Sequence, residues 1–165
     1  NVRSIGETVR GNGKTSGIVP FIKVMDSQTL AISQGSLRRG SAAVYLPIYH
    51  PEIEEFIDIR RPTGGDPNRR SLNLHHGIAI TDEFMKAVEK DEEFGLRSPH
   101  NKKIIEKISA RALWIKILTA RVETGEPYIL FIDSVNRSIP EHHKKLNLKI
   151  SINLNDALNS IIKVK

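Results

Sequence analysis

Residues 109–132 read Ser-Ala-Arg-Ala-Leu-Trp-Ile-Lys-Ile-Leu-Thr-Ala-Arg-Val-Glu-Thr-Gly-Glu-Pro-Tyr-Ile-Leu-Phe-Ile, a helix pattern that leads directly into a strand pattern. Ser109 is a residue type that caps helices, and Gly125 occupies the place of a left-handed C-terminal residue. Three apolar residues share one face of the predicted helix over residues 110–123: Leu113, Ile117 and Ala120. Residues 128–132 are continuously apolar, which is typical of a parallel strand covered on both faces.

The same alternation extends towards the N-terminus. Residues 42–46 and 74–80 are predicted as strands, and helices are predicted to begin at Pro20, at His50-Pro51-Glu52 with proline at N1, and after the N-cap Thr81. The apolar faces of these three helices are Phe21, Ile22, Val24, Met25, Leu30 and Ile32; Ile53, Phe56 and Ile57; and Phe84, Met85 and Val88. Strands that alternate with helices predict an α/β fold with right-handed crossovers.

The amino-acid composition excludes several classes of protein function. The chain has 165 residues, 25 Lys+Arg against 19 Asp+Glu, a net charge of +6 and no cysteine. One soluble domain with an anionic partner fits these values, whereas disulfides, thiolate metal sites and thiol chemistry within the chain are excluded. No apolar run approaches the ~20 residues of a membrane span, and no secretory signal begins the chain. Because the first residue is Asn1 rather than Met, we interpret the chain as cut from a longer one.

Residues 10–17, Arg-Gly-Asn-Gly-Lys-Thr-Ser-Gly, form a predicted glycine-rich loop. The loop is not a P-loop, because Thr8 stands where that motif requires its first glycine. Backbone N–H groups flanked by Arg10 and Lys14 are nevertheless suited to hold phosphate oxygens. The alternative is a solvated turn without a ligand.

Residues 33–41, Ser-Gln-Gly-Ser-Leu-Arg-Arg-Gly-Ser, form a second predicted loop. Gln34 offers a donor and an acceptor, as recognition of a base edge requires, and Arg38 and Arg39 are planar donors. The alternative is a charged surface loop.

The six histidines do not predict a metal site. His75 and His76 are neighbours on a predicted strand, so their side chains point to opposite faces. His142 and His143 lie in a polar connection with no acidic or cysteine ligand at metal-site spacing. The Gly-x-Ser-x-Gly pattern of a nucleophilic serine is also absent.

Four stretches resemble, in order, the large (catalytic, alpha) subunit of class I ribonucleotide reductase. They are Asn-Val-Arg-Ser-Ile-Gly to Gly-Ile-Val-Pro over 1–20; Ser-Gln-Gly-Ser-Leu-Arg-Arg-Gly-Ser-Ala-Ala over 33–43 with Tyr-Leu-Pro at 45–47 and His-Pro-Glu at 50–52; Asn-Leu to Phe-Met over 73–85; and Glu-Thr-Gly-Glu-Pro-Tyr at 123–128 with Asp-Ser-Val-Asn-Arg at 133–137. The resemblance implies that residues 1–150 are part of a ten-stranded α/β barrel, followed by a divergent tail over 151–165.

The resemblance also implies an activity, the reduction of ribonucleoside diphosphates to deoxyribonucleotides, and an allosteric site for dNTP and ATP effectors. The loop over residues 1–17 would wrap the effector, through Arg3, Val9, Arg10, Gly11 and Lys14. The loop over residues 33–41 would relate the effector to the substrate base, through Ser33, Gln34, Gly35, Ser36, Leu37, Arg38 and Arg39, with Gln34 and Arg38 as the communicating pair.

The chain departs from the family where the family's radical cysteine is expected. In place of Ser-Asn-Leu-Cys-x-Glu, it reads Ser-Ile-Asn-Leu-Asn-Asp over residues 151–156. A one-residue gap aligns Asn153 with the substrate-positioning asparagine and Asn155 with the cysteine, and without the gap Asp156 takes the cysteine position. We therefore expect no radical chemistry in this polypeptide alone. The interpretation is an internal reductase fragment; the alternative is a catalytically inactive nucleotide-binding or subunit-interaction module.

The resemblance implies partners as well. They are the nucleoside diphosphate, the effector nucleotides, a radical-generating small subunit that carries the metal–radical cofactor, and a second large subunit or a complementary fragment. No metal is expected in this chain, and no membrane is expected as a partner. A nucleic acid is not expected either, because base-stacking aromatics and a recognition helix are absent. A cytoplasmic location follows from the family.

Overall fold

The computed structural model of the chain describes residues 2–9, 11, 13–33, 38–61 and 65–144. Its helices are α1 (Val19–Ala31), α2 (Ile53–Asp58), α3 (Asp82–Lys90), α4 (Ala110–Thr124), α5 (Ile132–Arg137) and α6 (Glu141–Lys144). Its strands are β1 (Ala43–Pro47), β2 (His75–Ile80), β3 (Glu93–Arg97), β4 (Ile104–Ser109) and β5 (Tyr128–Phe131), and a 3-10 turn spans Pro67–Arg69. The predicted α/β class is confirmed as a mixed α/β fold.

The larger sheet is parallel, with the strand order β1-β2-β5. Ala43 pairs with His75, and Gly77 pairs with Tyr128, so β2 lies at the centre. A Cβ atom at Gly77 would overlap the Tyr45 ring of β1, which explains a glycine in a buried strand. The described residues form no closed barrel, so the ten-stranded barrel remains an expectation.

The second sheet is an antiparallel hairpin of β3 and β4, which the sequence interpretation missed. On β3, Phe94 and Leu96 are buried and alternate with more exposed residues. The Phe94 ring meets Phe84 of α3 edge-to-face at 5.1 Å between centroids, which fixes the hairpin against that helix. β4 is almost entirely exposed, and this lack of alternation hides it in the sequence.

The helix ends and faces predicted for α3 and α4 are largely confirmed. The Thr81 hydroxyl accepts the Phe84 N–H at 3.3 Å, and the Ser109 hydroxyl accepts the Ala112 N–H at 3.2 Å. Gly125 ends α4 in the left-handed region, with φ of 79°. The buried residues of these helices are Phe84 and Ala87 on α3, with Met85 and Val88 packed at the edge of the core, and Ala110, Leu113, Ile117 and Ala120 on α4.

Two element-level expectations differ from the structure. α2 begins two residues after Pro51, and Glu52 takes the N-cap position, so the proline is not the N1 residue. The predicted buried face of α2 is confirmed at Ile53, Phe56 and Ile57. β5 is not covered on both faces: Tyr128 is 40% and Phe131 is 42% exposed. β5 is also an edge strand in the described part of the chain, paired only with β2.

Of the apolar stripe predicted for α1, Ile22 is buried and the other five residues are exposed. The buried residues are Val19, Ile22, Asp26 and Thr29. The exposed apolar residues at this helix are Phe21, Val24, Met25, Leu30 and, at the C-cap, Ile32. Two polar side chains thus replace apolar ones on the face that meets the core. Across the described ranges, no helix has both the length and the apolar character that a bilayer crossing demands.

Candidate functional site

The loop before α1, called the first loop (residues 1–17), folds back on itself as a short hairpin. Thr8 and Lys14 form an antiparallel bridge, and the Val9 N–H donates to the Gly13 carbonyl at 2.9 Å. Gly11 and Gly13 have φ of 112° and 144°, in a region that L side chains rarely adopt. The glycines of this loop therefore serve its backbone path.

The structure places the predicted effector residues unevenly. Arg3 is half-buried, and its guanidinium donates to the Thr8 carbonyl within the loop. Lys14, Gly11 and Val9 are exposed, with Val9 at 45%. Arg10 lies outside the described residues. Lys14 is thus an exposed cation on this loop, whereas Arg3 is engaged with the loop's own backbone.

The loop after α1, called the second loop (residues 33–41), is closed at its base. The Ser33 hydroxyl donates to the Thr29 carbonyl at 3.2 Å and accepts the Gly40 N–H at 2.9 Å. A Cβ atom at Gly40 would overlap the Thr29 carbonyl, so only glycine fits. Both predicted loop cations, Arg38 and Arg39, are exposed, and the other predicted members lie outside the described residues: Gln34, Gly35, Ser36 and Leu37.

Helix α1 connects the two loops. Its 13 residues span about 20 Å, so the first loop ends at one helix terminus and the second loop begins at the other. Asp26 anchors its middle: one carboxylate oxygen accepts the Asn73 N–H at 2.7 Å and the other accepts the Asn73 side-chain amide at 3.0 Å. Burial raises the pKa of Asp26, but the hydrogen bonds together with the nearby Lys23 charge outweigh this effect, and the pKa is lowered overall.

Glu52 is the buried carboxylate that meets the first loop, and the sequence interpretation assigned it only to the start of a helix. It is 4% exposed and accepts N–H groups from Ile5 at 3.0 Å and from Ile18 at 3.0 and 3.2 Å. Gly17 has φ of 82°, and a Cβ atom there would overlap the carboxylate. Burial raises the pKa of Glu52, against the lowering effect of both backbone hydrogen bonds.

His50 contacts the backbone of Glu52. Its ring is 4% exposed, and Nδ1 accepts the Glu52 N–H at 3.1 Å, so a neutral ring carries its hydrogen on Nε2. Burial lowers the pKa of His50 to about 4, although the nearby Glu7 charge opposes the shift. The ring is therefore neutral at pH 7.

Glu7 ties the first loop to the β3–β4 hairpin. Its carboxylate accepts the Ser4 hydroxyl at 2.8 Å and also the Ser98 hydroxyl, which lies beyond the end of β3. The Arg97 N–H donates to the Tyr49 carbonyl at 2.7 Å, so the hairpin also holds the segment before α2. The first loop consequently has two polar anchors, one to α2 and one to the hairpin.

A second polar cluster lies at the amino ends of β2 and β5. The Glu126 carboxylate is 2.7 Å from His75 Nδ1 and accepts the His76 N–H at 3.1 Å. The two histidine side chains differ in burial, since His76 is buried and His75 is 42% exposed, but both Nδ1 atoms face the Glu126 carboxylate, that of His76 at 3.3 Å. Burial lowers the pKa of His76. Across the described ranges, no group of three or more His, Cys, Asp or Glu residues is arranged to hold a metal ion.

The sequence is similar to known proteins of one family. The family described as "Ribonucleotide reductase, barrel domain" matches residues 1–154. A Frog virus 3 (isolate Goorha) protein that carries the name of a ribonucleoside-diphosphate reductase large subunit is 47% identical over 145 residues, with 87% of this chain and 26% of the relative covered. The large subunit of Invertebrate iridescent virus 6 is 44% identical over 154 residues, with 88% and 16% covered.

A less similar relative also has the name of a reductase subunit. The ribonucleoside-diphosphate reductase subunit alpha of Chlamydia pneumoniae is 33% identical over 171 residues, which cover 86% of this chain and 16% of the relative. The chain therefore spans between about a sixth and about a quarter of the length of these three relatives. Because the family match extends over nearly the whole sequence, the chain belongs to the ribonucleotide reductase barrel-domain family.

Proposed function

We propose that this chain forms the effector-sensing part of a ribonucleoside-diphosphate reductase large subunit, which converts ribonucleotides to deoxyribonucleotides. The observation that carries the proposal is the arrangement around α1. One helix, anchored by the buried carboxylates of Glu52 and Asp26, joins two glycine-bearing loops that expose Lys14 at one end and Arg38 at the other. Such an element can pass a change at an effector to a loop that meets the substrate.

The residue roles follow from this arrangement. We assign Arg3, Arg10 and Lys14 to the effector phosphates, and Val9 and Gly11 to the path of the loop around the nucleotide. The exposed amine of Lys14 supports a phosphate contact.

We assign the second loop to recognition of the base, with Gln34 and Arg38 as the communicating side chains and Arg39 beside them. Exposure of Arg38 and Arg39 leaves their guanidinium groups accessible to a nucleotide. The effectors are dNTPs and ATP.

We also propose that β1, β2 and β5 are strands of a larger barrel that extends over residues 1–150, with residues 151–165 as a divergent tail. In the described part of the chain β1 and β5 each pair only with β2. Tyr45, Tyr128 and Phe131 are exposed apolar side chains on these two strands. Further barrel strands would cover them and satisfy the open sheet edges.

The chemistry requires groups outside this chain. Since the chain contains no cysteine, we assign the cysteine that carries the thiyl radical and the reducing thiols to another portion of the reductase. We assign generation of the radical to a small subunit with a metal–radical cofactor. The substrate is a nucleoside diphosphate. Asn153, the candidate for holding its ribose, lies outside the described residues.

A protein partner is supported by α1. Phe21, Val24 and Met25 are exposed at i, i+3 and i+4 spacing on one face of this helix, and Leu30 is exposed on another face. A monomeric protein rarely exposes a contiguous apolar patch of this kind without a partner. We assign the surface to a second large subunit or to a complementary portion of the reductase, in the cytoplasm.

The absence of cysteine favours one second candidate, a catalytically inactive nucleotide-binding or subunit-interaction module. The two candidates differ in one measurable property. When a cysteine-bearing remainder, a small subunit and a thiol reductant are supplied, the reductase part supports CDP turnover, and the inactive module does not.

Nucleotide titration tests the proposed function. A dNTP at about 100 times its Kd should raise the Tm of the chain by roughly 5–10 °C, because binding to the folded state alone stabilises it. The measurement is Tm against the concentration of dTTP, dATP and dGTP. Lys14→Ala should weaken the shift.

The matched control is Lys86→Ala, which removes an exposed lysine on α3 and should leave the nucleotide shift unchanged. In a reconstituted reductase, Arg38→Ala should reduce effector-dependent substrate choice more than basal turnover. A chain that melts cooperatively but shows no shift with any of the three nucleotides would contradict the proposal.

A further inference from the structure

Helix α1 lacks a cap from its own sequence. Ile18 occupies the N-cap position and offers no side-chain acceptor, and the first turn contains no acidic residue. The Ile18 N–H instead donates to both oxygens of Glu52, a residue from the N-cap of α2. A carboxylate at the N-terminus of a helix is stabilised by the helix dipole and by unpaired N–H groups. Glu52 therefore satisfies the N–H of the N-cap residue, a role that a glutamate at the N3 position of the same helix has in a capping box.

The same carboxylate reaches the other end of the first loop. Glu52 Oε2 accepts the Ile5 N–H at 3.0 Å, so one side chain holds both the beginning of the loop and the start of α1. Gly17 permits this approach, because any Cβ atom there would occupy the position of the carboxylate. The loop is thereby closed at its base around a buried negative charge.

Burial of this charge is costly, which indicates that Glu52 does more than cap a helix. A carboxylate that is 4% exposed loses its hydration, and satisfying the Ile18 N–H alone does not require a side chain that also reaches Ile5. What Glu52 adds is the connection between the first loop and α1.

We propose that Glu52 is a positioning residue, which fixes the first loop and the N-terminus of α1 as one unit and so sets the geometry of nucleotide binding. The inference rests on the proposed function, in which the first loop binds the effector and α1 leads to the second loop. Glu52 does not touch the nucleotide; it acts through the backbone of Ile5 and Ile18.

Amide exchange of the Glu52→Gln variant, without nucleotide, tests the connection itself. Gln keeps the size of the side chain but removes the charge from both hydrogen bonds, and its N–H₂ group opposes the Ile18 N–H when the amide oxygen takes the place of Oε2. Exchange at Ile5 and Ile18 should become about ten- to hundredfold faster, the effect of weakening a hydrogen bond to an ionised group.

Glu54→Gln is the matched control, since Glu54 lies on the same helix, is exposed, and contacts Lys116 rather than the loop. It should leave exchange at Ile5 and Ile18 unchanged. Unchanged exchange in Glu52→Gln would overturn the connection whether or not the chain binds nucleotide.

Binding of dTTP tests the positioning role. The Kd of Glu52→Gln for dTTP should be about five- to hundredfold higher than that of the wild type, in the range of ordinary coupling between sites, and that of Glu54→Gln should be unchanged. A lower Tm with an unchanged Kd would show a merely structural role and overturn the inference. If the wild type binds no dNTP, the proposed function fails instead, and the exchange result still decides the connection.

A measurement on the wild type covers the case in which Glu52→Gln does not fold. The amide proton shifts of Ile5 and Ile18 should titrate together, at one pH midpoint above that of an ordinary glutamate. The charged and titratable groups around Glu52 are Glu55 and Arg69, which pair with each other, His50 at the Glu52 backbone N–H, and Glu7 on the first loop. Independent midpoints for the two amides would overturn the inference.

Discussion

At the scale of single residues, His50 shows how burial sets a charge state. Its pKa is lowered from 6.5 to about 4, since burial disfavours the imidazolium. Between pH 6.5 and 4 the unfolded chain binds a proton at this residue and the folded chain does not, so the free energy of unfolding falls as the pH falls. The expected loss is about 3 kcal/mol, most of it realised by pH 4.

The variant His50→Asn isolates this effect, because the Asn carbonyl can still accept the Glu52 N–H and does not titrate. The measurement is urea unfolding at several pH values between 4 and 7. As the pH falls from 7 to 4, the unfolding free energy of the wild type should fall further than that of the variant. A pH-independent difference would contradict the neutral buried ring.

Sequence patterns point to exposed loop cations more readily than to buried carboxylates. Lys14 and Arg38 could be named because glycine-rich loops with cations are visible as patterns. Glu52 and Glu126 could not, because their roles depend on backbone N–H groups far away in the chain: Ile18 for Glu52 and His76 for Glu126. The one available signal was a glutamate next to a predicted helix start, which has an ordinary explanation in the helix dipole.

At the scale of elements, α1 depends on Asp26 for its attachment to the segment before β2. In Asp26→Asn, the amide can satisfy only one of the two Asn73 donors, so the free energy of unfolding should fall by about 1–3 kcal/mol. The measurement is chemical denaturation at pH 7.

Asp91→Asn is the control for Asp26→Asn. Asp91 pairs with Arg111 on the surface and has φ of 58°, a conformation that Asn tolerates well, so its effect should stay within about 0.5 kcal/mol. Equal effects of the two substitutions would show that the buried contact contributes nothing beyond a surface ion pair.

The sequence predicted the elements with strong periodicity and local caps. α3 and α4 have side-chain caps at Thr81 and Ser109, and their buried faces follow the 3.6-residue repeat. The errors at α1 and β5 share one cause: an apolar side chain does not specify which surface covers it. Phe21 is apolar and exposed, whereas Asp26 of the same helix is polar and buried against Asn73.

At the scale of the whole molecule, the sequence predicted the α/β class but not the parallel strand order β1-β2-β5, because strand pairing depends on contacts between distant residues. The pairs that define it join segments such as Ala43 with His75 and Gly77 with Tyr128. No local pattern encodes those partners. The ordered similarity of four stretches predicted the family, which is confirmed, but not the strand pairing.

The exposed apolar surface of α1 leads to a prediction about assembly. Val24 is 65% exposed, and at micromolar concentration we expect the chain to associate with itself or with the remainder of the reductase. Val24→Glu places a charge in this surface and should reduce self-association, seen as a lower weight-average mass in sedimentation velocity, with an unchanged Tm.

Val122→Glu, which alters an 89% exposed residue on α4, is the control and should leave the mass unchanged. Equal effects would place the contact elsewhere, and a wild-type chain that sediments as a monodisperse monomer and melts cooperatively would contradict the assignment of a partner to α1.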